Sequence, residues 1–346
     1  MIFIIFGIIS FKDLLIQTSF NKFFLTAVVL ICLMFFIGFR YNCDNDFLVY
    51  VTLFEIVPVF PNINALFTMS LLQGHEIGFL FVESILKTLG FNYRSIFVFS
   101  AIITIIFLYK AFSRLVTYPV LSIFVFFSQY FIQMFLQIRF GIAMAIAMYA
   151  CSFLSSKNRR IFWFLLFIAI LFHFSALGVI FVYFLHKINW NNKKNIFFLF
   201  LVCIIAVVLP MRKLLEKMLF IVGIERYQNY ITSGAMEIRS LIFNVVIILP
   251  LLIFHKSLCK KNIDLSIIYS MAFANIFIGA LLWRLDILYR FSIINGSIFC
   301  IIIPSYFLLF KLPSVKVMGY YLFLLYCFLK FMPAMRYVSD YKMFIL

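Results

Sequence analysis

Runs of roughly 15–25 consecutive apolar residues follow one another along almost the whole chain, and this pattern decides what it can fold into. A run of that length suits one crossing of a bilayer. In lipid only helices and closed barrels satisfy every backbone amide and carbonyl. The runs are continuous rather than alternating, so they form helices. The chain therefore reads as an all-α, polytopic integral membrane protein with roughly 10–12 transmembrane helices. It forms one membrane domain over residues 1–346. Apolar residues at 66% and charged residues at 12% exclude a soluble globular domain. Residues 1–10 are apolar and lack a basic leader or a small-residue cleavage site, so they read as a retained hydrophobic helix rather than a signal peptide.

The apolar runs cover residues 23–39, 95–109, 119–137, 138–154, 195–209, 240–254, 265–283, 291–310 and 317–332. Two longer polar stretches interrupt them, residues 40–94 and 211–239. The first contains Pro58, Pro61, Asn62 and Asn64 and reads as a large loop with a partly embedded helix near residues 76–89. The net charge of +17 does not call for nucleic acid, because cytoplasmic loops of membrane proteins collect lysine and arginine. Placing Lys12, Lys22, Lys110, Arg114, residues 157–160, 187–194 and 256–261, Lys311 and Lys316 in the cytoplasm puts both large loops on the periplasmic side. The inner side then holds 15 basic residues, 12 of them lysine, with only Asp13 and Asp264 as acids. The outer side holds 14, of which 9 are arginine. Lysine suffices for topology, whereas arginine is favoured where phosphate is gripped in a defined geometry. Any chemistry is therefore expected on the outer face. The seven cysteines show no paired CxxC spacing, and most lie inside apolar runs as small hydrophobes. No metal-ligand spacing or phosphate-binding glycine loop is present.

Residues 161–185 pose a conflict. Arg159 and Arg160 precede them, and Lys187, Lys193 and Lys194 follow. A single crossing of about 38 Å would put one basic cluster outside. A re-entrant hairpin with arms of about 18 Å keeps both inside and places its tip at His173-Phe174-Ser175-Ala176. A histidine at such a tip needs a partner or water and is a functional candidate.

One short stretch stands apart: Gln137-Ile138-Arg139-Phe140-Gly141-Ile142-Ala143. Arg139 lies between two long apolar runs, where an unpaired guanidinium is costly. Gly141, Ala143, Ala145 and Ala147 let neighbouring helices approach closely. The residue is either a snorkelling boundary arginine or an anchor for an anion. Arg40, Asp44 and Asp46 form a second charged group, either a solvated salt-bridged turn or part of a site.

The order of these features resembles the O-antigen and exopolysaccharide polymerases of the Wzy and EpsG-like type. The resemblance runs through Phe39-Arg40-Tyr41, Asp46, Tyr50, Glu76-Ile77-Gly78-Phe79, the Arg139 stretch, Phe172-His173-Phe174-Ser175-Ala176-Leu177, and Glu225-Arg226-Tyr227 with Tyr230. Where such polymerases usually carry Arg-Gln, this chain has Arg139-Phe140. The resemblance implies a glycosyltransferase of the bacterial inner membrane that joins repeat units carried on undecaprenyl pyrophosphate at the periplasmic face. It implies an undecaprenyl-pyrophosphate-linked oligosaccharide, the lipid bilayer and a chain-length regulator protein as partners. The lipid pyrophosphate is itself the leaving group, so neither metal nor nucleotide is expected. A pyrophosphate that leaves with developing charge needs cations, and Arg139, Arg40, Arg284 and Arg290 are candidates, with Tyr227 beside them. The acceptor hydroxyl needs a proton acceptor, for which His173 is the first candidate, with Asp46, Asp44 and Glu76 as alternatives. Two rivals remain: a flippase for the lipid-linked oligosaccharide, expected to carry charge deep in several spans, and a membrane O-acyltransferase, expected to carry histidine beside an acid in one short motif.

Overall fold

The computed structural model describes residues 2–15, 19–156, 158–209, 238–260, 264–283, 289–338 and 341–343, with Lys213 and Lys217. Every regular element among the described residues is a helix, and no β-strand occurs among them. Four helical stretches are long and apolar enough to cross a bilayer: Arg94–Leu115, Leu265–Leu282, Arg290–Leu309 and Pro313–Tyr337. Shorter apolar helices accompany them, among them Pro119–Gln129, Ile138–Leu154 and Ser240–Ile253. The chain is an all-α polytopic membrane protein.

In chain order the helices are α1 (Ile2–Leu15), α2 (Ser19–Gly38), α3 (Phe47–Ile56), α4 (Ile63–Gln73), α5 (Ile77–Thr88) and α6 (Arg94–Leu115). Next come α7 (Pro119–Gln129), α8 (Phe131–Phe135), α9 (Ile138–Ser155), α10 (Arg159–Phe172), α11 (Ile180–Leu185) and α12 (Lys193–Val208). The last are α13 (Ile238–Ile253), α14 (His255–Cys259), α15 (Leu265–Leu282), α16 (Arg290–Gly296), α17 (Phe299–Ser305) and α18 (Pro313–Ala334). At the centre stands α9. Ala143, Ala145 and Ala147 are buried on it together with Ile142, Met144 and Ile146, so every face is covered. Its small side chains let α6 and α10 pack close on either side.

Helix starts on the lysine-rich side are capped by side chains. Asp13 of α1 accepts hydrogen bonds from the Val120 and Leu121 amides at the start of α7. Asp264 accepts from Ser266 and Ile267 at the start of α15. The two acids of this face thus meet the positive ends of helices. Asn158 and Asn192 cap α10 and α12 in the same way.

Two expected spans are broken. Residues 119–137 divide at Tyr130 into α7 and α8. Ser128 Oγ bonds back to the Phe124 and Val125 carbonyls, a pattern that bends helices. Residues 291–310 divide at Ser297 into α16 and α17, where Asn295 turns its amide to the Gly178 carbonyl. The stretch 40–94 holds more helix than a single embedded segment. Helix α5 falls where that segment was expected, and α3 and α4 precede it. Phe47, Tyr50, Leu53 and Phe54 are the buried stripe of α3. Asn62 caps α4, and Gly74, at φ +70°, ends it. The prolines and asparagines that break the apolar pattern therefore sit between short helices. Most of the second expected loop, residues 211–239, lies outside the described residues.

Residues 159–185 form the hairpin that the charges require. Helix α10 ends at His173, whose extended backbone breaks the helix, and a 3₁₀ turn over Phe174–Val179 leads into α11. The returning arm packs against the first: the Tyr183 ring stacks on Phe162 at 5.9 Å and meets Trp163 at 5.0 Å. His186 comes back to the backbone of Leu154 and the charge of Arg159, and its Nδ1 lies 3.1 Å from Ser266 Oγ. Both basic clusters consequently lie at one end of the bundle, with His173 at the tip.

Candidate active site

Five helix starts converge at the opposite end from the lysines. Asp46 precedes α3, Glu76 precedes α5, Arg139 is the second residue of α9, His173 precedes the 3₁₀ turn, and Arg290 opens α16. Helix starts carry unpaired amides and partial positive charge, so α3, α5 and α9 together favour an anion between them.

Glu76 is the hub. One carboxylate oxygen accepts a hydrogen bond from Arg139 Nη1. The other lies 3.8 Å from His173 Nε2. The side chains keep 23% (Arg139), 20% (Glu76) and 14% (His173) of their surface, so the group is sheltered but reachable. Arg139 Nη1 also lies 3.4 Å from His75 Nδ1, and its guanidinium stands 5.9 Å from the rings of both Tyr50 and Phe79. Arg139 is thus a largely buried, paired and aromatic-lined cation, not one snorkelling freely to water.

Two glycines make the convergence sterically feasible. A Cβ on Gly78 would stand 2.7 Å from the Leu171 carbonyl oxygen, so the start of α5 presses directly on the end of α10. That brings Glu76 to His173. A Cβ on Gly178 would stand 2.5 Å from the Phe291 carbonyl oxygen, so the 3₁₀ turn presses on the start of α16. That brings Arg290 within electrostatic reach of His173 and Asp46.

The imidazole has a defined role for each nitrogen. Nδ1 of His173 accepts the Ser175 amide at 3.2 Å. In the neutral ring the proton then sits on Nε2, aimed at Glu76. Phe140 packs against the ring at 4.8 Å between centroids. Position 140 therefore serves this chain as an aromatic wall, not as a hydrogen-bonding amide.

Asp46 differs from Glu76. Burial holds its pKa above the ordinary carboxylate range, and the neighbouring Asp44 adds to this; Arg139, Arg290 and Arg40 pull the other way. A carboxylate kept more basic than usual is suited to accept a proton.

Arg40 is not part of the open cluster. Its side chain and that of Asp44 are fully buried, paired at 2.9 Å between Nε and Oδ2. The guanidinium lies 4.7 Å from the rings of both Phe97 and Phe135, and Nη1 donates to the Ile37 carbonyl at 3.1 Å. Asp44 also accepts the Asp46 amide at 3.1 Å and so fixes the turn that carries Asp46. The charged turn is a buried ion pair beneath the site, not a solvated one. Arg284 and Tyr227 lie outside the described residues.

His75 and Tyr50 contact Arg139 but were not named as site residues from the sequence. Tyr50 follows Asp46 by four residues, which puts both on one face of α3. His75 adjoins Glu76. Both signals were legible. An apolar cavity of about 450 Å³ between α1 and α18, lined by Phe3, Gly7, Tyr320, Leu324 and Phe328 among others, lies apart from this cluster.

A bundle of apolar helices that shelters an arginine, a glutamate and a histidine at one end defines a polytopic membrane protein with a charged site at its boundary. The chain belongs to the EpsG family, whose pattern it matches over residues 22–345. That membership associates it with polysaccharide biosynthesis and a polymerase role. No curated protein and no solved structure matches it.

Proposed function

We propose that the protein is an inner-membrane glycosyltransferase that polymerises undecaprenyl-pyrophosphate-linked oligosaccharide units at the periplasmic face. The observation that carries this reading is that Arg139 and Arg290 both act on Asp46 and His173, next to the starts of α3, α5 and α9. Amides, dipoles and two guanidiniums aimed at one point stabilise the charge that develops on a departing pyrophosphate. Arg139 holds the pyrophosphate oxygens, which take the place of its Glu76 partner. His173 donates through Nε2 to the same group. Asp46, the more basic carboxylate, accepts the proton of the attacking sugar hydroxyl. The carbon–oxygen bond to the pyrophosphate breaks as the new glycosidic bond forms, and the lipid pyrophosphate leaves with the electron pair. Arg40 and Asp44 hold the turn on which Asp46 is presented.

The pairing of His173 with Glu76 also answers the one requirement of an O-acyltransferase that the linear motif lacks. Two arginines at the same point favour phosphate over a thioester. The deciding experiment is the surface-glycan pattern of a strain lacking the protein. Loss of the polymer ladder with a single repeat unit retained supports polymerisation. A full-length ladder that lacks only acyl groups supports the acyltransferase, and loss of every repeat unit supports a flippase.

A further inference from the structure

A second polar group lies in the outer half of the bundle, on the far side of α16. The Tyr326 hydroxyl donates to Gln129 Oε1 at 2.6 Å, and Gln129 Nε2 donates to the Tyr130 hydroxyl at 3.2 Å. Asn244 Nδ2 donates to Asn275 Oδ1 at 2.9 Å, and Asn275 donates in turn to Ser292. The Tyr289 hydroxyl is hydrogen-bonded by Asn244 and Ser292. One turn beyond Tyr326 on α18 stands Lys330, its ammonium 4.1 Å from the Phe243 ring. No carboxylate pairs with Lys330 among the described residues. Gln129, Asn244, Tyr326 and Lys330 are each only half-buried, so the seam opens at a surface.

This composition needs an explanation. Apolar side chains would pack α7, α13 and α18 together at lower cost than amides and a lysine in a membrane helix. Amides and phenols in fixed orientation, beside the parallel Phe243 and Tyr326 rings at 6.2 Å, suit a polyhydroxylated chain. The unpaired lysine adds attraction for an anionic group on the same molecule. The seam also joins the site described above through consecutive residues. Tyr289 reaches into the seam, and Arg290 acts on Asp46 and His173. A ligand held in the seam therefore lies next to the pyrophosphate site across one helix start.

We infer that this seam is a separate subsite for a second lipid-phosphate-linked saccharide, with Gln129, Asn244 and Tyr326 meeting sugar hydroxyls and Lys330 meeting the phosphate. The inference rests on the transfer reaction proposed above, which needs two lipid-linked saccharides side by side.

The test is binding stoichiometry. Farnesyl-pyrophosphoryl N-acetylglucosamine, a short-chain lipid-linked saccharide, is titrated into the full-length protein in lipid nanodiscs. Wild type is expected to bind two equivalents. Lys330→Met is expected to bind one, with the remaining affinity changed less than twofold, and Lys330→Arg to restore two. Elution of each variant as a single species shows that it has folded, and Asn244→Ala provides an independent substitution with the same expected loss. One equivalent in wild type, left intact by Lys330→Met and Asn244→Ala, overturns the seam while leaving the pyrophosphate site standing. No binding by wild type overturns both readings.

Discussion

Glu76 divides its carboxylate between two partners: one oxygen takes the Arg139 guanidinium and the other faces His173 Nε2 at 3.8 Å. The anion in the site is thus one of the protein's own side chains. On the function proposed above, a substrate phosphate would displace Glu76 from Arg139, and that exchange would couple binding to the position of His173.

Arg139 is expected to be irreplaceable by charge alone. A guanidinium binds two phosphate oxygens in one plane, whereas an ammonium offers a point charge. Loss of a charge-assisted hydrogen bond of about 1.5–3 kcal/mol corresponds to roughly ten- to hundredfold in rate. Arg139→Lys should shorten the glycan by slowing transfer to that extent, and Arg139→Ala should abolish polymer. Chain length is measured by gel banding in cells that produce equal amounts of each variant. A normal ladder from both would remove Arg139 from the site.

Asp46 should show opposite effects on stability and on activity. Its folded pKa lies above the ordinary value. The fold therefore binds a proton that the unfolded chain releases, and stability falls as pH rises from the ordinary carboxylate range through the raised folded value. Asp46→Asn is expected to melt at a higher temperature than wild type at neutral pH, with the gap closing as pH falls below about 4. The same variant should lose roughly 100- to 10,000-fold in transfer if Asp46 accepts the proton. Thermal melts across pH, paired with a transfer assay, separate the two effects. A variant that is fully active at neutral pH would assign the base elsewhere.

Arg40 and Asp44 should matter for folding. Removing one partner of a fully buried ion pair leaves the other charge unpaired and costs about 3–5 kcal/mol. Asp44→Ala should sharply lower the melting temperature and yield of the purified protein. The double change Arg40→Met with Asp44→Leu should recover much of that loss, because it removes both charges and retains volume. Recovery of melting temperature without activity would also fit, since the turn that presents Asp46 loses the Asp44 acceptor. If Asp44→Ala leaves melting unchanged, the pair has no role in holding the fold.

Gly78→Ala tests whether the approach of two helices builds the site. The added methyl meets the Leu171 carbonyl and forces α5 away from α10. Misplacing a catalytic group by about 1 Å can cost on the order of a hundredfold. The variant should fold and insert, lose activity to about that degree, and show little further loss when His173→Ala is added. Full additivity of the two changes would mean that Glu76 and His173 act independently.

The apolar runs were enough to establish a helical membrane protein, because lipid leaves the backbone few choices. The hairpin expected over residues 161–185 was legible for a related reason: two basic clusters cannot be separated cheaply by one crossing. Arg139, Glu76 and His173 could each be singled out, since a charge or imidazole among apolar residues needs a partner. Their mutual pairing could not, because the three come from distant parts of the chain and meet only through the close approach at Gly78. The buried state of Arg40 was hidden as well. A run of Arg, Asp and Asn looks solvated until Phe97 and Phe135 close over it from α6 and α8. Helices α3 and α4 were obscured by Pro58, Pro61 and Asn62, which mark their ends but resemble loop composition.

The hairpin has a topological consequence. A segment that enters and leaves by the same face contributes an even number to the tally of crossings. Helix α12 and everything after it therefore point the way they would point if residues 159–185 were absent. A straight crossing would invert the whole second half of the protein and carry α16, with Arg290, to the wrong face. The inserted pair of arms is thus neutral in parity: it delivers a histidine to the end of the bundle opposite the lysines and leaves the direction of every later helix as it was.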